Sequence, residues 1–301
     1  MKLNPNACPT RVQTMLTDTQ KRSFEQEGYL LLERWVNPDW LEQLQTASDR
    51  HVERSRALTV SGQGLDLEPD HTANQPRLRR LVSPVDHDET FRAFALEGPA
   101  AQLAQLILGG PVRFHHSKLN YKWSGGGEEV KWHQDIQFWP HTDFSPLTIG
   151  VYLDDVDAAM GPMGIIPRSH EGHLFDQYDD EDRWLGSIRD QDLKRLNLED
   201  VRWLSGPAGS VTVHHCCAVH GSKPNHSPRV RRLLLQTYSR ADAYPINNIG
   251  ANGNLGRFGG LLIGGDNEQT LSIEGRVFRG APDWSGGRVP TIFASQQSEN
   301  N

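Results

Sequence analysis

The chain has 301 residues, 36% hydrophobic and 23% charged, with a formal net charge of −7. That balance is ordinary for a chain able to fill a core, and its acidic excess argues against non-specific nucleic-acid binding and against attraction to an anionic membrane. No apolar run approaches the ~20 residues of a membrane helix, Met1–Cys8 lacks the apolar segment of a secretory signal, and the three cysteines, Cys8 and the adjacent pair Cys216 and Cys217, make no disulfide framework. The expectation is a cytoplasmic protein. Composition does not break along the chain, which reads as a single domain over 1–301.

Residues 1–16 read as a lead-in. Thr17-Asp-Thr-Gln20 has capping-box form, so a short helix should run to about Glu27 and end at Gly28. Tyr29–Leu32 reads as a buried strand. Asn37-Pro38 is a helix start, Asn as N-cap and Pro in the first turn, and Trp40, Leu41, Leu44, Ala47 and Val52 follow at helical spacing. The polar stretch 59–76, with Gly62, Gly64, Pro69 and Pro76, reads as a long loop of the kind that closes over binding sites. Helical signals return from about Asp88 to Leu108 and stop at Gly109-Gly110-Pro111. Strands and turns follow: Val112–Trp123, a glycine turn at 125–127, Leu147–Leu153, a turn and strand over Gly161–Pro167, then Gly209–His220 and Arg231–Tyr238. The tail from about Asn247 to Gly287 is Gly-rich and irregular. Helices at about 17–110, a β core at about 111–240 and an extension at about 241–301 predict a mainly β fold with helices packed on a sandwich or barrel.

The pattern that carries chemistry is Lys131-Trp-His-Gln-Asp-Ile136. Side chains two residues apart share one face of a strand or its continuation, so His133 and Asp135 can hold one metal ion. Alone, the pair reads more readily as a surface histidine hydrogen-bonded to a nearby aspartate. A second histidine would complete a two-His-one-carboxylate set, which suits Fe(II) and leaves coordination positions open for oxygen chemistry. Among thirteen histidines, His220 is favoured: it ends a β-rich run and precedes a hairpin that returns Arg231 beside it. The planar guanidinium of Arg231 can grip the distal carboxylate of a dicarboxylic acid. His214 and His215 read as strand residues, one facing in and one out.

These residues resemble the phytanoyl-CoA dioxygenase family of Fe(II)/2-oxoglutarate oxygenases along nearly the whole chain. The likeness runs through Leu16–Phe24 and Glu27–Leu32, Trp132-His-Gln-Asp135, Leu153-Asp-Asp155, Gly161–His170, and His220-Gly-Ser with Asn225, Ser227 and Arg231; the eleven-residue spacing from His220 to Arg231 is the family spacing. The resemblance implies a double-stranded β-helix (a cupin-like jelly roll) with helices outside. It implies Fe(II) on His133, Asp135 and His220, and 2-oxoglutarate held by Arg231 with help from Ser222 and a hydroxyl from Thr148. Asn120, Lys118 and Gln134 are candidate cosubstrate or substrate contacts, with ordinary strand polarity as the alternative. Relatives that halogenate replace the carboxylate ligand; Asp135 is kept, which favours hydroxylation. The Gly161–His170 signature reads as structural, and His115 and His116 as core or surface histidines rather than pocket residues.

With O2 as oxidant, the implied reaction hydroxylates an unactivated C–H bond of a small metabolite or natural-product intermediate and releases succinate and CO2, with no protein acid or base beyond the metal ligands. Phe138 and Trp139, with Trp123 and Trp203, are candidates to line an apolar substrate pocket; His141, Arg240 and Arg257 are candidates for polar groups. Desaturation, epimerisation or cyclisation with the same cofactors is an alternative outcome, and a non-catalytic 2-oxoglutarate-binding module is a further one. A small-molecule substrate is the expected partner, with no nucleic acid and no membrane, in a monomer or homodimer.

Overall fold

A computed structural model describes residues 15–125, 127–246, 256–265 and 270–280. The N-terminal elements follow their local signals. Helix α1 (Asp18–Glu27) starts at Thr17 with both hydrogen bonds of the capping box and ends where Gly28 turns left-handed at φ 78°. Strand β1 (Tyr29–Leu32) follows, and α2 (Pro38–Ser55) starts where the Asn37 side chain accepts from the Trp40 amide.

Two stretches differ from expectation. The polar run 59–76 contains strand β2 (Leu65–Leu67), which pairs with β3 (Leu78–Val82) and joins the main sheet. Arg79 pairs with buried Glu68 at 2.9 Å, and Arg56 bonds the Ala73 carbonyl at 2.7 Å; these contacts tie down a segment that composition marks as loop. The helical stretch 88–108 is two helices, because Gly98-Pro99 interrupts it. After the short α3 (Pro84–His87), α4 (Glu89–Leu96) is capped by Asp88, and α5 (Pro99–Leu108) ends at left-handed Gly109.

The remaining strands are β4 (Val112–Lys122), β5 (Val130–His133), β6 (Leu147–Tyr152), β7 (Met163–Ile165), β8 (Arg202–Leu204), β9 (Val211–His215), β10 (His220–Ser222) and β11 (Arg231–Arg240), with a one-turn helix α6 (Asp190–Leu193) before β8. The large sheet runs β1-β9-β6-β11-β4-β3-β2, and the small one β5-β10-β7-β8, with the pairings antiparallel. In the tail, β12 (Leu262–Ile263) adds to β4, and β13 (Thr270–Ile273) pairs with β14 (Arg276–Arg279), so these pieces are strands rather than irregular chain. Residues 247–255, 266–269 and 281–301 of the expected tail and most of the lead-in lie outside the described residues. No helix among the described residues is long and apolar enough to cross a membrane.

Period-two alternation decides what each face of the large sheet carries. Leu119, Tyr121, Leu147, Ile149, Val151, Val211, Val213, Leu234 and Tyr238 form one cluster with Leu44 and Ala47 of α2, Phe91 and Phe94 of α4 and Leu103 of α5. Each such fully buried Leu or Phe contributes roughly 1.5–3 kcal/mol by leaving water. The alternate positions Lys118, Asn120, Thr148, His214, Arg231 and Leu233 face a cavity between the two sheets. The sheet thus turns its apolar side to the helices and its polar side to the jelly-roll interior.

Candidate iron and cosubstrate site

His133 ends β5 and His220 begins β10, directly opposite it in the antiparallel register. Asp135 opens the 3-10 turn after β5. All three are buried, and their ligand atoms lie within 4.8 Å of one another. His133 Nε2 is 3.6 Å and His220 Nε2 3.8 Å from Asp135 Oδ1. Each imidazole is fixed from behind: His133 Nδ1–H donates to the Lys131 carbonyl at 2.8 Å, and His220 Nδ1–H to the Ala218 carbonyl at 3.0 Å. A carbonyl only accepts, so both rings hold their proton on Nδ1 and leave the Nε2 lone pair for a metal.

The carboxylate is divided in the same way. Its Oδ2 is 3.2 Å from His214 Nε2 and 3.4 Å from Thr148 Oγ1, side by side because β6 and β9 pair Thr148 with His214. Oδ1 is left facing the two ligand histidines. Burial pushes the pKa values of His133 and His220 down, which keeps them neutral. Burial alone would raise that of Asp135, but His220 and the hydrogen bond from His214 more than offset it and hold the carboxyl well below its usual range. Two neutral imidazoles and one ionised carboxylate, all on one side of a cavity, fit Fe(II).

Arg231 lines the same cavity. It is 2% exposed and makes no ion pair among the described residues. Nη1 donates to the Gly161 carbonyl at 3.1 Å, while Nε is buried without a partner. A buried guanidinium with an unused donor is costly unless an anion completes it; a cosubstrate carboxylate fits that need. Ser222, Asn120 and Thr148 line the cavity too. Lys122, opposite Arg231 on β4, escaped the sequence reading: its amine donates to Ser222 Oγ at 2.7 Å, and burial beside Arg231 pushes its pKa down to about 7. The two-residue spacing from Lys118 and Asn120 was the signal that puts it on this face.

A second cavity of about 460 Å3 opens beside the ligands, lined by Arg80, Val82, His115, His116, Ser117, Lys118, His133, Asp135, Phe138 and Trp139. Of the residues expected to contact substrate, Phe138, Trp139 and Lys118 line this cavity. His115 and His116 stand there as well, against the expectation that they pack elsewhere. The cause is a β-bulge: Thr237 opposes His116 and Tyr238 opposes Phe114, leaving His115 as the extra residue. The bulge shifts the alternation, so Phe114 joins the apolar cluster with Leu119 and Tyr121 while both histidines line the cavity.

Gln134 is not brought to either cavity. Fully buried, it donates to the Cys217 and His173 carbonyls at 2.7 and 3.1 Å and accepts from the Phe175 amide at 2.9 Å. Every second residue of an extended segment faces away, so the residue between two ligands is turned from the metal; here it ties the His133–Asp135 segment to the β9–β10 connection. Trp123 also turns away from both cavities, packing against the apolar cluster with a stack on Tyr121 and a hydrogen bond to the Leu78 carbonyl, and Trp203 packs on Trp132. Arg240 pairs with Asp242 on the surface, and the Arg257 amide caps Asp86.

Comparison with known proteins identifies the family. Residues 24–233 match the family described as Phytanoyl-CoA dioxygenase (PhyH). A Stutzerimonas stutzeri protein described as a "Probable alpha-ketoglutarate-dependent hypophosphite dioxygenase" is 30% identical over 82% of this chain and 85% of its own. The ectoine dioxygenase of Stutzerimonas stutzeri (strain A1501) is 28% identical over 73% of this chain and 75% of its own. The fold matches the crystal structure of EctD from S. alaskensis with 2-oxoglutarate and 5-hydroxyectoine at a TM-score of 0.62 and 24% identity, over 80% of this chain and 82% of that one. The chain belongs to the phytanoyl-CoA dioxygenase family and is an Fe(II)- and 2-oxoglutarate-dependent dioxygenase.

Proposed function

We propose that the protein hydroxylates a C–H bond of a small metabolite, with Fe(II) held by His133 Nε2, Asp135 Oδ1 and His220 Nε2 and the distal carboxylate of 2-oxoglutarate held by Arg231, assisted by Ser222. When bound, iron and cosubstrate supply the oxidising power: one oxygen atom of O2 enters the substrate and the other enters succinate as CO2 leaves. The observation that carries the reading is one cavity lined both by three clustered, mutually oriented side chains able to hold a metal and by an incompletely bonded arginine.

The protein's own part is positioning. The Lys131 and Ala218 carbonyls fix the imidazole tautomers; His214 and Thr148 hold the carboxylate rotamer. Phe138 and Trp139 wall the adjacent cavity and keep water from the bond to be oxidised. The relatives act, by name, on hypophosphite and on ectoine, both small enough for a space of about 460 Å3.

The test is succinate formation by iron-loaded protein supplied with 2-oxoglutarate and oxygen, beside His133→Ala and Arg231→Ala. The expected result is slow substrate-free turnover in the parent, none in His133→Ala, and turnover in Arg231→Ala only at high cosubstrate. No turnover in the parent, and no iron-dependent 2-oxoglutarate absorption band, would replace this reading with a non-catalytic module.

A further inference from the structure

The cavity beside the iron ligands has a marked charge asymmetry. Its lining includes the cations Arg80 and Lys118 and a single acid, Asp135. Asp135 is committed: its oxygens face His133, His214 and His220. Arg80 is paired with Asp66 at 2.6 Å. The Lys118 ammonium has no hydrogen-bond or ion-pair partner among the described residues, although the residue is half-buried. It projects from the middle of β4 between Leu235 of β11 and Val82 of β3, and it lines both the substrate cavity and the Arg231 cavity.

Charge counting sharpens the point and rests on the reading above. Fe(II), the Asp135 carboxylate and a dianionic cosubstrate carry one net negative charge, which Arg231 neutralises. Lys118 then remains as an ammonium facing the substrate space with nothing to balance it. In a recess partly withdrawn from water an uncompensated charge is unfavourable, and the ligand that completes it carries the opposite sign.

The neighbouring histidines add a directional donor. His115 Nδ1 and His116 Nδ1 are 2.7 Å apart, and burial pushes their pKa values down to about 2 and about 3, so both are neutral. In a neutral pair one Nδ1–H donates to the other Nδ1, and the accepting ring must then carry its own proton on Nε2. Both rings line the cavity with Lys118, and one of the two carries its proton on Nε2. A cationic substrate would meet two cations and no available carboxylate.

We propose that the substrate is a small oxyanion-bearing molecule, a carboxylate or a phosphorus oxyanion, whose anionic group is held by Lys118 with the His115–His116 pair, leaving the C–H bond to be oxidised toward His133 and Asp135.

The test is direct binding under argon to protein loaded with Fe(II) and 2-oxoglutarate, read by calorimetry and by intrinsic tryptophan fluorescence, with Trp139→Phe as the control for a signal from the cavity wall. Propionate and methylphosphonate are compared with uncharged propionamide and dimethyl methylphosphonate and with cationic propylamine. The two anions separate the carboxylate and phosphorus sources. At least one anion is expected to bind saturably, and the uncharged and cationic probes tenfold more weakly or worse. Lys118→Met should weaken the anion at least tenfold, Lys118→Arg should restore it to within about threefold, and Lys118→Glu should shift preference to propylamine; the arginine variant guards against misfolding as the cause. Equal affinity for propionamide, an unchanged anion affinity in Lys118→Met, or no anion binding at all overturns the proposal. Loss of 2-oxoglutarate binding by the parent in the same cells would overturn the functional reading instead.

Discussion

Replacing Arg231 with Met separates its two energetic roles. In the cosubstrate complex, removing one partner of a buried, hydrogen-bonded charge pair costs about 2–5 kcal/mol; at 1.4 kcal/mol per tenfold, the Kd for 2-oxoglutarate should rise by roughly 30-fold to several thousand-fold. In the free protein the same guanidinium is 2% exposed, has one hydrogen bond to the Gly161 carbonyl and leaves Nε unpartnered. Burial also pushes its pKa down, the signature of a charge held against its solvation preference. The substitution therefore removes a strained charge and leaves one carbonyl short of a donor, a cost of about 1–3 kcal/mol set against the relief of a buried ion. We expect the unliganded melting temperature to stay within a few degrees of the parent while the stabilisation by 2-oxoglutarate disappears. The assay is calorimetric titration of 2-oxoglutarate into anaerobic Fe(II) protein, with thermal melts at zero and saturating cosubstrate. A Kd within threefold of the parent would refute the assignment of Arg231; a large fall in unliganded stability would refute the claim that it awaits an anion.

Three further outcomes follow from particular contacts. Gly161→Ala places a methyl 2.2 Å from the Lys223 carbonyl oxygen in a left-handed backbone, φ 63°, so the carbonyl that anchors Arg231 must move; 2-oxoglutarate KM should rise about tenfold or more, and an unchanged KM in steady-state kinetics would show that the anchor does not matter. Gln134→Leu removes three hydrogen bonds from a fully buried side chain and should destabilise by about 2–4 kcal/mol in urea melts, with weaker Fe(II) binding; full iron affinity would argue against its positioning role. Lys122 has a folded pKa of about 7 against an ordinary 10.4, so above pH 7 the unfolded chain binds more protons than the native one, and stability should rise with pH by up to about 1.4 kcal/mol per unit between pH 7 and 9. That rise should be absent in Lys122→Met; identical slopes in denaturant titrations would refute it.

Local chemistry was legible wherever it acts within a few residues. Thr17 and Gln20, Asn37 and Pro38, and the glycines at positions 28 and 109 set helix ends through hydrogen bonds and φ angles that depend on no distant contact. His133, Asp135, His220 and Arg231 were found by spacing, since two residues along a strand and one hairpin are short-range geometry; the structure brings all four to one cavity. What spacing left open is what lies across strands. The inward turn of His214 and Thr148 onto Asp135 Oδ2 follows from the β6–β9 register, which only the packed sheet fixes. The extra residue at His115 shifts the alternation of β4, and nothing in a run of residues 112–122 announces where a bulge falls, because it is set by the partner strand β11. Gln134 looked like a site residue by sequence proximity and is turned away by the same alternation that brings its neighbours in. The sequence by itself determined the helix ends and the spacing that brings His133, Asp135, His220 and Arg231 to one cavity, which short-range geometry dictates. Only the tertiary structure decided which polar side chains meet in the interior and that the Lys118 ammonium, on the wall of that interior, has no partner among the described residues, because those depend on register between strands far apart in the chain.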